Sequence, residues 1–517
     1  MKNKFKKYIG IGIGCVFSLT SCDRGFEEMN QNPNAYTQAD INSMFTNNEV
    51  LMRGFQYSHY QADIQFVSLA MQHLASLRTN QFHGDKYLYE DNTSGGFFQE
   101  YENGIKEITH LLSVIPNTPE NVNKISAARV IKVYMFHQIT DLYGDIPYSQ
   151  AGKGYLDGIW SPKYDRQQDI YMDMLKELDE SALAFNESKP FYGNADVLYG
   201  GNVTNWRKFT YSLMLRLGMR ISKADAVNAE KYVKKAIAGG VFASNSDNMV
   251  CLHKSGSQFT VNPVIYNFLT DGTVDDPQKG EKISKTFIDL LKSTQDPRMR
   301  VLSNIVISNN NYDVDPTHQK GMPNGYTDET IKTYPNFTGK QDYSFPNRLT
   351  IAREDAPDIR ISYAETQLLK AEAAVRGWDS GNAKTYYDSG VTAAMQMLAV
   401  YGTGNGKVPI ITNAEISTYL LANPFSIGTT AQKIQQIITQ KWIAFFLFNG
   451  LEAYADYRRT GYPNLVPVNY PGNVSNGQIP RRLIYKDSER TLNTANYNAA
   501  VAQQGPDLFV TRIWWDK

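Results

Sequence analysis

The sequence predicts a mostly α chain: a scaffold of tetratricopeptide-like helix pairs that carries long, aromatic-rich loops. Three observations predict it. Several long windows repeat apolar residues with the 3.6-residue period of an amphipathic helix. Small and aromatic residues recur inside neighbouring windows at spacings that let two helices approach closely. Strand-type alternation is brief, and Val301–Ser308 is its best instance.

The chain opens with a targeting pattern. Met1 to Lys7 carries four lysines, and Tyr8–Thr20 is a nearly uncharged apolar run too short to form a stable spanning helix. The run ends in Leu19-Thr20-Ser21-Cys22, which resembles a bacterial lipobox. In such signals the cysteine is diacylated on sulfur and becomes the new N-terminus. Residues 1–21 are therefore expected to be removed, leaving a mature chain of residues 22–517 anchored through Cys22. Two or three acyl chains hold a protein stably on a membrane, whereas one does not. No later apolar run reaches eighteen residues; the strongest, Trp442–Phe448, reads as a buried helix segment.

The helical windows follow in order. They are Ile125–Tyr143, Gln167–Phe185, Trp206–Ile221, Ala224–Ala238, Ser362–Arg376, Asn382–Tyr401 and Ala431–Arg458. Ala383, Tyr387 and Gly390 take the small–aromatic–small positions of the second helix of a tetratricopeptide unit, and Ala371 the small position of the first. Ala229, Val233 and Ala236 repeat the same spacing after the Trp206–Ile221 window. Three polar segments interrupt the helices, at about 78–100, 144–165 and 304–358. Loops of this length are uncommon in compact domains and are often functional.

Composition narrows the function. Lys and Arg total 52, Asp and Glu also 52, so there is no cationic excess to replace phosphate counterions on a nucleic acid. The 33 Tyr and 24 Phe exceed what the helical windows use, and exposed aromatics suit a flat, partly polar ligand. Cys15, Cys22 and Cys251 fit neither a metal site nor a disulfide framework. No histidine lies four residues from another, Gly402, Gly404 and Gly406 follow a helix where a phosphate loop would follow a strand, and there is no G-x-S-x-G elbow. Asp271, Asp275 and Asp276 lack EF-hand spacing and read as a solvated turn. Neither a cofactor nor a metal is expected. A glycosidase carboxylate pair is set in space, so it stays open at this level.

At this point the residues are specific enough for a resemblance. The chain is similar to the SusD/RagB nutrient-binding outer-membrane lipoproteins, SusD-like branch. The matching stretches run in order through Phe26–Pro33 (FEEMNQNP), Thr140–Tyr148 (TDLYGDIPY), Asn205–Phe209, Leu215–Ile221, Arg360–Ala373, Gln440–Ala444, Glu452–Pro463, Ile479–Leu483 and Ile513–Lys517. The resemblance implies a non-catalytic lipoprotein facing the cell exterior. It further implies that the protein binds an oligosaccharide or other nutrient and delivers it to a SusC-type TonB-dependent transporter. Two other classes fit the composition: a surface glycan-active enzyme on a helical scaffold, and an adhesin or assembly lipoprotein.

Sugar rings offer apolar C–H faces and a hydroxyl rim, so the ligand is expected on loop aromatics that join no periodic apolar face. Those are Tyr87, Tyr89, Phe97 and Phe98 in the first loop, Trp160 in the second, and Tyr312, Tyr326 and Tyr343 in the third. Tyr134, Tyr211 and Tyr457 sit at helical spacing among aliphatics and read as core. The anchor gives the first prediction: Cys22→Ala should leave the chain unacylated and released from membranes, as read by fractionation and mass spectrometry. A variant that fractionates with outer membrane like wild type would remove the anchor.

Overall fold

The computed structural model describes residues 40–52, 56–257, 260–265, 278, 280–308 and 311–517. Cys22 and the Asp271, Asp275 and Asp276 turn lie outside the described residues.

The longer helices are α1 (Ile41–Leu51), α2 (Gly104–Val114), α3 (Val122–Tyr143), α4 (Gln167–Ala184), α5 (Val203–Arg220), α6 (Ala226–Gly239) and α7 (Lys285–Ser293). The second half adds α8 (Tyr363–Val375), α9 (Ala383–Gln396), α10 (Asn413–Ala422), α11 (Thr430–Ala444), α12 (Gly450–Thr460) and α13 (Thr494–Gln504). Their starts are written in the sequence as side chains that accept otherwise unpaired N–H groups. Asn202 caps α5, Asp225 caps α6, Ser362 caps α8 and Asn382 caps α9. Thr412 with Glu415, and Thr429 with Gln432, form reciprocal capping boxes on α10 and α11.

Consecutive helices pack as antiparallel pairs, most extensively α8 on α9 and α5 on α6. Gly390 shows why small residues recur there. A Cβ at that position would lie 2.7 Å from Leu368 Cγ, so the α8–α9 approach tolerates only hydrogen. Tyr387, Ala371, Ala229, Val233 and Ala236 are all buried, as the tetratricopeptide-like spacing requires.

Sheet is confined, among the described residues, to four small antiparallel sheets. β1 (Leu74–Ala75) pairs with β5 (Lys282–Ile283), and β2 (Ile146–Pro147) with β3 (Tyr164–Asp165). β4 (Met249–Cys251) pairs with β9 (Asp358–Ile361). The fourth sheet has the order β7-β6-β8, from Asn311–Asp313, Ser303–Ser308 and Phe345–Pro346. The segment from 304 to 358 thus leaves and re-enters the body through one sheet, with Asn304 opposite Phe345.

Two expectations change. The Ala431–Arg458 window is two helices: α11 ends at Ala444 and the chain reverses before α12, with Leu447 at φ +73°. Trp442–Phe448 is buried apart from the half-buried Ala444, but only its first three residues are helical. The apolar period persists across the break because both helices and the reversal face one core. Arg458 and Arg459, in the last turn of α12, are both buried. Arg458 Nη1 donates to the carbonyl of Asp141 at 2.6 Å, and its guanidinium lies over Tyr454 and Trp515.

The core also holds charge. Arg216 grips Glu365 with two hydrogen bonds (2.8 and 2.6 Å) and reaches Glu452 at 3.2 Å. Arg220 pairs with Glu452 as well, and Arg459 joins Glu372 to Asp456, which Lys441 also holds at 2.6 Å. Burial pushes the Glu372 carboxyl up, but Arg459 and Arg376 outweigh it and bring it down to about 2.

A different arrangement fastens α1. Glu49 and Asp196 are both buried and share a hydrogen bond. Asp196 accepts the N–H groups of Leu198, Tyr199 and Gly201 and the Trp206 indole N–H. Burial first, and the Asp196 carboxylate second, push Glu49 up to about 10, so it is protonated at neutral pH. A carboxyl whose folded-state value is raised stabilises fully below its unfolded value near 4.5 and loses that contribution as pH climbs toward 10. Wild type should therefore lose stability relative to Glu49→Gln between about pH 6 and pH 9, by up to about 1.4 kcal/mol per pH unit. Parallel denaturant titrations check this; a constant difference across that range would contradict the shared proton.

Candidate ligand-binding surface

The β2–β3 ladder closes the base of the second loop, pairing Ile146 with Asp165 and Pro147 with Tyr164. Above it the chain is fixed by polar side chains. Ser149 N–H donates to the Asp165 carboxylate (2.7 Å), and Lys163 N–H donates to the Gln150 side-chain Oε1 (2.9 Å). Asn493 and Asn496 donate to the carbonyls of Pro162 and Ser161 (2.9 and 3.0 Å), tying the loop to the start of α13.

On this pinned loop two large aromatics face solvent. Trp160 is 79% exposed and Tyr155 is 87% exposed. A Cβ at Gly154 would sit 2.9 Å from Trp160 Cε3 and Cζ3, so the indole rests directly on that backbone. The contact supports the ring while leaving most of it exposed. Lys153 and Gln150 are half-buried beside it, and Asp157 and Lys163 are exposed. A flat ring edged by hydrogen-bonding groups can stack on an apolar C–H face and satisfy its hydroxyls. Tyr155 stood within the second loop but outside the expected set. Its flanking glycines and the lack of an apolar period were the available signal.

The third segment gathers another cluster. Tyr326 and Tyr334 meet edge to face at 5.4 Å, and Phe337 stacks on Tyr343 at 6.4 Å. Tyr343 itself is buried with Ala75 and Met322 in a small satellite core, so its ring is not a platform; its outer neighbours Tyr326 and Tyr334 are half-buried. Burial first, then the neighbouring Tyr334 and Asp342, push the Tyr343 hydroxyl up to about 12. Tyr312 is half-buried on β7, opposite Val306.

The first loop departs most from expectation. Tyr87, Phe97 and Phe98 are buried. Tyr87 accepts the Val468 N–H on its hydroxyl at 3.2 Å. Phe98 packs edge to face on Tyr143 at 4.7 Å and on Tyr485 at 5.8 Å. Two short helices, Asp91–Ser94 and Gly96–Tyr101, turn Phe97 and Phe98 inward and bury Thr93, Ser94 and Glu100 with them, leaving Asn92 exposed. Only Tyr89 stays half-exposed in character, and it donates to Asp487 at 2.9 Å.

One trio among the described residues has metal-like spacing: donor atoms of His137, Asp141 and Glu452 lie within 4.8 Å of one another. Its carboxylates are already held by Arg216 and Arg220, so the local positive charge opposes a cation.

Comparison with known proteins places this architecture. The family model described as "Starch-binding associating with outer membrane", SusD-like, matches residues 33–486. A solved chitin-binding protein is 31% identical, with TM-score 0.81, over 92% of this chain and all of its own. A chitin-binding SusD homolog from Flavobacterium johnsoniae is 26% identical, with TM-score 0.72, over 93% of this chain and 99% of its own. A SusD homolog from Bacteroides fragilis is 26% identical, with TM-score 0.74, over 92% of this chain and all of its own. No curated protein matches.

Proposed function

Because the chain belongs to the SusD-like family of starch-binding proteins that associate with the outer membrane, we propose that it is a lipid-anchored receptor for a neutral oligosaccharide. It faces the cell exterior through the Cys22 anchor and hands its ligand to a SusC-type TonB-dependent transporter. The observation that carries the glycan reading is the Trp160 indole, supported on Gly154 and exposed beside Tyr155. Two relatives described as chitin-binding, at 31% and 26% identity over nearly the whole chain, favour an N-acetylated glycan.

Binding here needs little rearrangement. The loop is already held by hydrogen bonds from Asn493 and Asn496, so less conformational freedom is lost when a sugar stacks. The rim charges lie near water, and the platform itself is uncharged, which suits a neutral ligand. Tethering receptor and transporter to one membrane raises their effective concentration, so a modest interface suffices for transfer.

Removing both rings in Trp160→Ala/Tyr155→Ala should weaken binding of tri-N-acetylchitotriose or maltotriose about tenfold or more by calorimetry. The melting temperature should stay within about a degree or two, since exposed substitutions change stability little. Tyr87→Ala, by contrast, empties a core position and should destabilise by about 3 kcal/mol or more while ligand affinity at the remaining folded protein is kept. Unchanged affinity in the double variant would move the site elsewhere. The transporter is checked separately: affinity purification from mildly solubilised outer membranes should recover a TonB-dependent barrel in near-equal amount, and recovering none would count against the partnership.

A further inference from the structure

The hydrogen bonds that hold the Trp160 loop from the C-terminal side converge on one carboxylate. Glu489 lies in the short helix Asp487–Leu492 and is half-buried. Its Oε2 accepts the Tyr164 hydroxyl at 2.7 Å and the Asn493 amide at 3.3 Å. Tyr164 belongs to β3, at the foot of the loop, and its ring meets Tyr485 edge to face at 5.3 Å. Burial first, then the Glu489 carboxylate, push the Tyr164 hydroxyl up, so it keeps its proton and donates.

Asn493 carries the hold to the far side of the loop. It is buried, and the amide that faces Glu489 also donates to the Pro162 carbonyl, just past Trp160. Its oxygen accepts the Asn496 amide at 2.8 Å, and that amide donates to the carbonyl of Ser161, next to the indole. Glu489 therefore fixes β3 directly and residues 161 and 162 through two asparagines. Its neighbour Arg490 is drawn to Asp487 (3.4 Å) and Asp507 (3.3 Å), and among the described residues Glu489 joins no ion pair. The charge of this carboxylate goes into the bonds from Tyr164 and Asn493, and a charged acceptor makes such bonds stronger.

The helix that carries Glu489 is itself seated on the first loop. Asp487 N–H donates to the Asp91 carboxylate at 2.8 Å, and the Asp487 carboxylate accepts the Tyr89 hydroxyl at 2.9 Å. The Ser94 hydroxyl accepts the Ile484 N–H and donates to the Ile484 carbonyl. The first loop, with most of its rings turned inward, thereby braces the second.

We propose that Glu489 is the positioning residue of the Trp160 platform: it holds the indole in its stacking pose through Tyr164, Asn493 and Asn496 and does not itself touch the sugar. A face held in place loses less freedom when ligand stacks on it, so removing the brace costs affinity without removing a ligand contact. This inference rests on the glycan reading of that platform.

The test uses the full chain, with tri-N-acetylchitotriose and maltotriose as probes in calorimetry. Glu489→Ala should weaken the trisaccharide that wild type binds about threefold to tenfold. Both bonds end on one oxygen, so Glu489→Gln, which still offers an amide oxygen there, should recover most of that affinity. In a Trp160→Ala background Glu489→Ala should add no more than about a 1.5-fold loss, since its effect passes through the ring. A fluorine label on the tryptophans reads the pose without ligand. The resonance that Trp160→Phe removes should shift or broaden in Glu489→Ala and return in Glu489→Gln. Should Glu489→Ala not fold, Asn496→Ala, which removes only the Ser161 and Asn493 bonds, should give the same changes. An unmoved Trp160 resonance, or an equal loss of affinity with and without the indole, would overturn the proposal. Full affinity in Glu489→Ala would overturn it too, while the platform reading stands as long as Trp160→Ala/Tyr155→Ala weakens binding. If that double variant binds like wild type, or wild type binds neither probe, the reading beneath falls and takes this inference with it.

Discussion

Charges placed inside the scaffold dictate how its helices meet. Arg216 of α5 must find Glu365 on α8 and Glu452 on α12 at once, and Arg220 one turn later returns to Glu452 and approaches Asp141 on α3. Arg459 of α12 answers Glu372 on α8, while Lys441 of α11 shares Asp456 with it. Taking these ions out of water costs several kcal/mol each, and only close, complete pairing returns it. A helix shifted by one turn would leave a buried charge alone, so the pairs select one register among the many that greasy surfaces would permit. Five helices drawn from residues 122–460 are locked to each other in this way.

The outer layers inherit that rigidity. Arg458, wedged over Tyr454 and Trp515, carries the C-terminal segment onto the same centre, and the Trp515 indole donates to Asp141 at 2.9 Å. Asp145, at the end of α3, accepts the Gln167 N–H and the Gln503 amide, holding the start of α4 and the end of α13 beside the β2–β3 loop. A loop whose two feet are fixed this way can leave an indole in water without letting it wander. The stacking face is therefore pre-organised by contacts that lie far from it in sequence.

Protonation is distributed with the same logic. Where a carboxylate meets arginine, as at Glu372, the charge persists to low pH; where two carboxyls meet, as at Glu49 and Asp196, one keeps its proton. His73, buried and within 2.9 Å of the Trp442 carbonyl, is brought down to about 4 by burial and stays neutral.

Local chemistry was legible in the sequence. The 3.6-residue period and the capping residues Asn202, Asp225, Ser362 and Asn382 mark helix starts to within a few residues, because both act within one turn of chain. The ordered stretches from Phe26 to Lys517 likewise sufficed for the family. What the sequence could not settle was burial. Trp160, Phe97 and Phe98 look alike in their polar, glycine-flanked surroundings, yet Phe98 is covered by Tyr143 and Tyr485 while Trp160 rests on Gly154 and stays 79% exposed. The Ala431–Arg458 window failed for a related reason, since a reversal packed into the core keeps the apolar period of the helix it interrupts. The partner that covers a ring or answers a charge comes from far along the chain, 236 residues away for Arg216 and Glu452. Only the folded chain brings such pairs together, so only the tertiary structure could divide the aromatics into core and surface.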